Sequence, residues 1–414
     1  MDRILVVDDN KTLVKLISRK LSSELGIQID VAYSFAEAKL FLHRYDYIMA
    51  LLDVNLPDAP NGEVIDYTIS KGVKVIVLSG NDNKEFRHNM LEKNIIDYVN
   101  KDGKETLQYV IHLIQRVQKN QNHKILVVDD VLMFRKKMEQ ILTNLNYKVI
   151  TVAHGEEALG MVEVHPDISL AIVDYVMPVM NGFELTVKLR EKFDKNSLSI
   201  IALSSSEDDD IIAKFLKNGA NDYITKPFSK EEFSCRINNS IEALENIQLI
   251  TNHANRDFLT GLYNRRYFFD NTTKYFEEAV NNGESFAIAM VDIDHFKKIN
   301  DTYGHDVGDK AIVNLSEILR SGVDRNDLVA RFGGEEFCIV LKNISEKNAL
   351  TVMERIRNNV KNSVTKTDDG QDVTFTISIG IALYHEATLE ETINEADMLL
   401  YNAKQNGRDQ VVSN

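Results

Sequence analysis

Cysteine is almost absent from this sequence of 414 residues: Cys235 and Cys338 are the two, far apart and without metal-ligand spacing. A disulfide framework is thereby excluded, and a reducing compartment is the expected setting. No apolar run approaches the roughly 18 residues that a membrane-spanning helix needs, and the opening MDRILVVDD carries no signal-peptide core. An excess of cations is missing too. Lysine and arginine number 48 against 63 acidic residues, a net charge of −15, which argues against nucleic acid or an anionic membrane as partner. A nucleotide substrate stays open, because a few local cations or a metal can hold phosphates. The expectation is a cytoplasmic protein. With 44% hydrophobic and 27% charged residues the composition is that of an ordinary globular chain, and the length calls for two or three domains.

What is present is a duplication. RILVVDD at 3–9 returns as KILVVDD at 124–130, an offset of 121 that also carries Asp53 onto Asp174. Four inserted residues later, Ser79 maps to Ser204 and Lys101 to Lys226. A period this long is a whole domain. In the second copy, β-branched runs at 125–128, 149–152, 171–173, 200–203 and 222–224 alternate with amphipathic stretches such as 132–145. That alternation predicts a doubly wound parallel sheet with helices on both faces. Functional groups in such sheets collect at the carboxyl ends of the strands, where Asp129, Asp130, Asp174, Ser204 and Lys226 all fall.

Converging carboxylates repel unless a hard cation sits among them, and Mg²⁺ suits such a set. One aspartate could then attack a phosphoryl donor, with the lysine neutralising the phosphate and the hydroxyl bonding to it. A single aspartate in such a place often only caps a helix. Five matched residues appearing twice in register call for a shared chemistry instead.

On these residues, 1–121 and 122–245 resemble response-regulator receiver domains, which have the flavodoxin-like fold. The resemblance implies Asp53 and Asp174 as phosphoacceptors, with Asp174 favoured, and Asp8, Asp9, Asp129 and Asp130 as Mg²⁺-holding acids. It implies Ser79 and Ser204 as switch hydroxyls, Lys101 and Lys226 as the partner lysines, and a histidine kinase or phosphotransfer protein as phosphate donor. Tyr98 and Tyr223 occupy the switch-aromatic position, though half-buried strand tyrosines would look the same. The second copy keeps the family spacing: Pro178 and Gly182 lie four and eight residues past Asp174, and Pro227 follows Lys226, where the family usually has a cis peptide. The first copy departs from it, with Gly62 nine residues past Asp53 and Asp102 after Lys101.

From 229 to 257, Phe233, Ile237, Ile241, Leu244 and then Ile247 or Ile250 recur at three- and four-residue steps. The last receiver helix therefore runs into a helical connector, 246–256. Its stripe suits packing on its own domain or a seam between two protomers. Without glycine or proline, the helix could pass a receiver movement on rigidly.

In the remaining 257–414, the string ARFGGEEFCIV at 330–340 sets Gly333, Gly334, Glu335 and Glu336 at the tip of a hairpin. A wet turn is the plain reading. The strand-like run 286–291, ending in Asp292 and Asp294, offers carboxylates to oppose that tip. Together they make a plausible divalent-metal site for nucleotidyl transfer, where metal lowers the pKa of an attacking hydroxyl and glycine lets backbone approach phosphate.

DFLTGLYNRR (257–266), DIDHFKKINDTYGHDVGD (292–309), GGEEF (333–337), SIGIA (378–382) and YNAKQNGR (401–408) together resemble the GGDEF-domain diguanylate cyclases. The resemblance implies an α+β domain with a central, mostly antiparallel sheet, and condensation of two GTP into cyclic di-GMP and two pyrophosphates. It implies Asp292, the Ile293 carbonyl and Glu335 as ligands of Mg²⁺, with Mn²⁺ as the alternative ion. Glu335 would also assist the 3′-hydroxyl, and Glu336 would support the loop or a second metal. Asn300 and Asp309 would read guanine. Gly333 and Gly334 would border the phosphates, and Lys297, Lys404 and Arg408 would meet them. Two GTP sites must face each other, so a homodimer follows. The family's product-inhibition tetrapeptide, Arg-x-x-Asp, here reads Asp324-Arg325-Asn326-Asp327, so feedback inhibition should be weak or use other arginines. The competing reading is a non-catalytic adaptor that binds GTP or cyclic di-GMP. A DNA-binding regulator is disfavoured by the charge and by the lack of a helix-turn-helix.

Overall fold

The computed structural model describes residues 3–80, 84–101, 106–205, 209–384 and 388–414, so Asp102 lies outside the described residues. In the first repeat, strands β1 (Arg3–Val7), β2 (Gln28–Ala32), β3 (Met49–Asp53), β4 (Lys74–Ser79) and β5 (Asp97–Asn100) alternate with helices α1 (Lys11–Leu25), α2 (Phe35–Arg44), α3 (Glu63–Ser70), α4 (Lys84–Leu91) and α5 (Thr106–Asn120). All pairings are parallel, in the order β2-β1-β3-β4-β5. β3 is buried along its whole length. Such an unbroken apolar run is stable only where helices cover both faces of the sheet. Asn10 starts α1 by accepting from the amides of Thr12 and Leu13.

The second repeat has β6 (Lys124–Val128), α6 (Leu132–Asn144), β7 (Lys148–Val152), α7 (Gly155–Val164), β8 (Ile168–Asp174), α8 (Gly182–Lys192), β9 (Ser199–Ser204), α9 (Asp209–Lys217), β10 (Asp222–Thr225) and α10 (Lys230–Asn255). Its parallel sheet has the same order, β7-β6-β8-β9-β10. The residue by which the first copy departs from the family spacing is absorbed after β3 in a turn where Leu56 and Ala59 pair with each other.

Residues 1–248 form one compact unit and 249–414 another. Inside the first, the repeats pack on each other. Ile114 and Val117 of α5 share an apolar cluster with Ile141, Leu145 and Ile241. At its edge the guanidinium of Arg116 grips Glu245 with two bonds, 2.6 and 2.8 Å, and Lys74 donates to the carbonyls of Thr143 and Asn144. α10 is one continuous helix. Phe233, Ile237, Ile241 and Leu244 are buried, so that part of the stripe packs on its own unit, whereas Ile250 is exposed.

The second unit contains β11 (Tyr263–Asn264), α11 (Arg265–Asn282), β12 (Phe286–Ile293), α12 (Phe296–Tyr303), α13 (His305–Gly322), β13 (Leu328–Gly333), β14 (Glu336–Lys342), α14 (Glu346–Lys361), β15 (Thr365–Lys366), β16 (Asp372–Val373), β17 (Ile377–Leu383), α15 (Leu389–Gln405) and β18 (Val411–Ser413). Its sheet runs β11-β13-β14-β12-β17-β18, antiparallel in the middle with a parallel pair at each edge. β12 lies at the centre and is buried on every residue. Ala287, Ala289 and Val291 meet one apolar layer, while Phe286, Ile288 and Met290 meet the other. Gly380 explains SIGIA: a Cβ there would lie 2.2 Å from the Ala396 carbonyl oxygen, so only glycine lets α15 come down onto β17. That close approach carries Lys404 to the end of β12.

Candidate active site

Two sites lie at the carboxyl ends of the parallel sheets. Asp8, Asp9 and Asp53 bring ligating oxygens within 4.8 Å of one another, as do Asp129, Asp130 and Asp174. In each triad one acid is exposed and two are buried. Lys101 Nζ stands 2.6 Å from Asp8 and 2.7 Å from Asp53, and Lys226 Nζ stands 2.8 Å from Asp129 and 3.0 Å from Asp174. Burial pushes the carboxyls of Asp53 and Asp174 up, against the pull of these lysines. Ser79 and Ser204 are buried at the ends of β4 and β9. Tyr98 and Tyr223 are also buried, and the ring of Phe86 meets Tyr98 edge-on. The Lys226–Pro227 peptide is cis. A divalent cation suits both triads, since three acids beside one lysine leave negative charge uncompensated.

The third site is at the end of β12. Asp292, 4% exposed, stands across the ladder from Glu336 on one side and Ser378 on the other. Directly opposed residues share a sheet face, so Glu336 and Asp292 point the same way. Glu335 lies at the hairpin tip beyond them. Gly333 and Gly334 both have positive φ, 155° and 50°, and a Cβ on either would meet nothing within 4 Å, which leaves bare backbone facing open space. Burial, and then the charges of Glu335 and Glu336, push the Asp292 carboxyl up to about 6, although the ammonium of Lys404 2.7 Å away pulls it down. The residues therefore fit a metal: a buried carboxylate with two acidic neighbours is short of positive charge. Asp292, Glu335 and Glu336 are nevertheless spaced more widely than the receiver triads.

Gly304 both ends α12 and begins α13, and this one-residue link brings Asn300 and Asp309 onto adjoining turns. The Oδ1 of Asn300 is buried without a hydrogen-bond partner among the described residues. Asp309, Lys297 and Arg408 are exposed. Lys404 Nζ lies 2.7 Å from the Asp292 carboxylate.

Sequence reasoning left two positions without a role. Arg331 donates to the Gly334 carbonyl through Nε (3.0 Å) and Nη2 (2.8 Å) and to Asp257 through Nη1 (2.9 Å), so it holds the hairpin tip. Its place two residues before Gly333, and that of Asp257 at the head of DFLTGLYNRR, were the available signals. Asp294 is the other. In the inhibition tetrapeptide, the Asp327 carboxylate accepts from the amides of Lys342 and Asp324, both at 2.9 Å, and serves its own turn.

Residues 4–112 and 125–238 match the response regulator receiver domain, and residues 254–410 match the diguanylate cyclase GGDEF domain. The chain belongs to the response regulator family, and its enzyme class is diguanylate cyclase. Response regulator PleD of Caulobacter vibrioides (strain NA1000 / CB15N) is 27% identical to it over 451 aligned positions, 99% of this chain and 98% of PleD. Diguanylate cyclase A of Treponema denticola is 38% identical over 174 positions, covering 41% of this chain and 46% of that protein. A crystal structure of a two-component system response regulator/GGDEF domain protein aligns with a TM-score of 0.54 and 36% identity, covering 59% of this chain and 100% of that one.

Proposed function

We propose that this protein is a cytoplasmic, phosphorylation-controlled cyclase that joins two GTP into cyclic di-GMP and releases two pyrophosphates. The observation that carries the reading is the buried Asp292 carboxylate facing a glycine hairpin with two acids and held by Lys404. Asn300 and Asp309 read guanine, the latter accepting from N1–H and the amino group, a donor pair adenine lacks. Lys404, Lys297 and Arg408 meet the phosphates, and the backbone at Gly333 and Gly334 borders them.

Asp292, the Ile293 carbonyl and Glu335 would hold Mg²⁺ or Mn²⁺, which neutralises phosphate charge and acidifies the attacking 3′-hydroxyl. Glu335 would also take up that proton, and Glu336 would support the loop or a second metal. The 3′-oxygen of one GTP attacks the α-phosphorus of the other, and pyrophosphate leaves. Because each domain of 257–414 binds one GTP, two copies must face each other.

In the receiver domains, 1–121 and 122–245, Asp53 and Asp174 accept a phosphoryl group from a histidine kinase or phosphotransfer protein, with Asp174 favoured. Asp8, Asp9, Asp129 and Asp130 would hold the accompanying Mg²⁺. Lys101 and Lys226 neutralise the new phosphate, while Ser79 and Ser204 bond to it and Tyr98 and Tyr223 follow. The modification shifts the population toward the facing dimer, with 246–256 as the connector.

Chromatography of products from the purified chain with GTP and Mg²⁺, with and without beryllofluoride, tests the reading. Cyclic di-GMP formed faster with beryllofluoride is the expected result, and no cyclic di-GMP under either condition would refute it.

A further inference from the structure

Asp294 is 4% exposed, lies two residues past Asp292, and takes no part in the mechanism above. Its carboxylate accepts from three neutral donors: the hydroxyl of Ser378 on Oδ1 (2.7 Å), and the hydroxyl of Thr376 (2.7 Å) and the amide of Asp409 (3.0 Å) on Oδ2. Its own amide donates to the Thr376 carbonyl at 2.9 Å. One buried side chain thus ties the end of β12 to the start of β17 and to the segment after α15.

That segment has an unusual backbone. Arg408 and Asp409 are consecutive left-handed residues, with φ of 63° and 46°, and neither is glycine. Residues with a Cβ adopt such a shape infrequently, and two in succession are favoured by contacts that hold the backbone. Asp409 is held from both sides: its amide by Asp294, its carboxylate by Arg357 and Lys361. The backbone of Arg408 is held by the hydrogen bond its N–H donates to the Ala403 carbonyl, while its side chain is exposed. Lys404 depends on something else, the seating of α15 on Gly380.

We propose that Asp294 is a positioning residue for the substrate phosphates: by bonding the Asp409 amide it fixes the left-handed turn that carries Arg408, four residues past the lysine whose ammonium stands at Asp292. The proposal rests on the reading of Arg408 as a phosphate cation. Asparagine at 294 could keep its oxygen on Thr376 and the Asp409 amide and donate to the Ser378 hydroxyl, whereas alanine removes both acceptor oxygens and leaves the Asp409 amide without its partner.

The test is a pair of double-mutant cycles on the full chain, read as KM and kcat for GTP and as Kd for a non-hydrolysable GTP analogue. Asp294→Ala is expected to raise KM and Kd about tenfold, the weight of one hydrogen bond to a charged group, with kcat changed by no more than about threefold. Combined with Arg408→Ala it should add nothing further, whereas with Lys404→Ala the effects should add. Thr376→Val, which removes the other donor to the same oxygen, should move KM the same way by about threefold and serves if Asp294→Ala does not fold. Additive effects with Arg408→Ala, or a loss in kcat with KM and Kd unmoved, would overturn the proposal. An intact protein that binds the analogue but makes no cyclic di-GMP would defeat the cyclase reading, with the Kd cycles still deciding on Asp294. Failure to bind the analogue at all would defeat both.

Discussion

The ammonium of Lys404 lies 2.7 Å from Oδ2 of Asp292, a basic residue of one helix set against a buried acid at the end of the central strand. The pair would join the two halves of the proposed site, Asp292 standing with the hairpin acids and Lys404 with the cations proposed for the phosphates. Lys404 counters the charge that Glu335 and Glu336 add around Asp292. A metal at Asp292 would free that ammonium for phosphate.

The pH dependence of this site has a definite sign. The carboxyl of Asp292 is raised from 3.8 to about 6, chiefly by burial. The folded chain therefore binds this proton more tightly than the unfolded one, and the stabilisation is full below about pH 4 and lost as pH rises through about 6. In metal-free protein, Asp292→Asn should gain stability over the parent by about 2 kcal/mol between pH 4 and pH 7, read from denaturant midpoints. Because Mg²⁺ must displace the same proton, the Mg²⁺ concentration for half-maximal activity should rise below about pH 6.

Arg331 should matter to activity more than to stability. Its fork fixes the Gly334 carbonyl, and with it the hairpin tip that carries Glu335. Arg331→Ala should lower kcat/KM about a hundredfold, the scale of misplacing a reacting group by about 1 Å. Arg331→Lys should rescue little, since an ammonium cannot reach Asp257 and the carbonyl with one planar fork. Steady-state kinetics with a parallel melting curve checks both.

Glu245 is held down to about 2 by the guanidinium of Arg116, with His123 adding to the effect. A lowered carboxyl contributes stability that is present above about pH 4.5 and lost as pH falls toward about 2. Arg116 is itself 5% exposed. Glu245→Ala would leave it buried without its anion and should cost about 3 kcal/mol at neutral pH, and the loss should shrink in acid. Urea titration at two pH values measures this.

Regulation is tested through the phosphoacceptors. Acetyl phosphate should accelerate cyclic di-GMP synthesis by the intact chain and leave Asp53→Asn/Asp174→Asn unaffected. Equal acceleration of both would remove the receivers from control without touching the chemistry.

The parallel sheets were legible because their strands are unbroken apolar runs ending in acids, and because the pattern occurs twice. The hairpin acids and Asp292 were legible as chemistry-bearing types in strings that have no packing use for them. Arg331 and Asp294 were not, because each acts through backbone groups, the Gly334 carbonyl and the Asp409 amide, that folding brings close from elsewhere in the chain. The one-residue excess in the first repeat looked like a departure from its family, yet a small turn between Leu56 and Ala59 takes it up and leaves the acidic triad closed.

The central claim is that the carboxylates of Asp292 and Glu335 hold one divalent cation together with the triphosphate. Mn²⁺ titration of the full chain with and without a non-hydrolysable GTP analogue isolates that ion, since any metal held by the receiver triads would not depend on nucleotide. The expected result is a nucleotide-dependent Mn²⁺ site that weakens at least about tenfold in Asp292→Asn and again in Glu335→Gln, roughly 1.4 kcal/mol each. A nucleotide-dependent site of unchanged affinity in both variants would contradict the account.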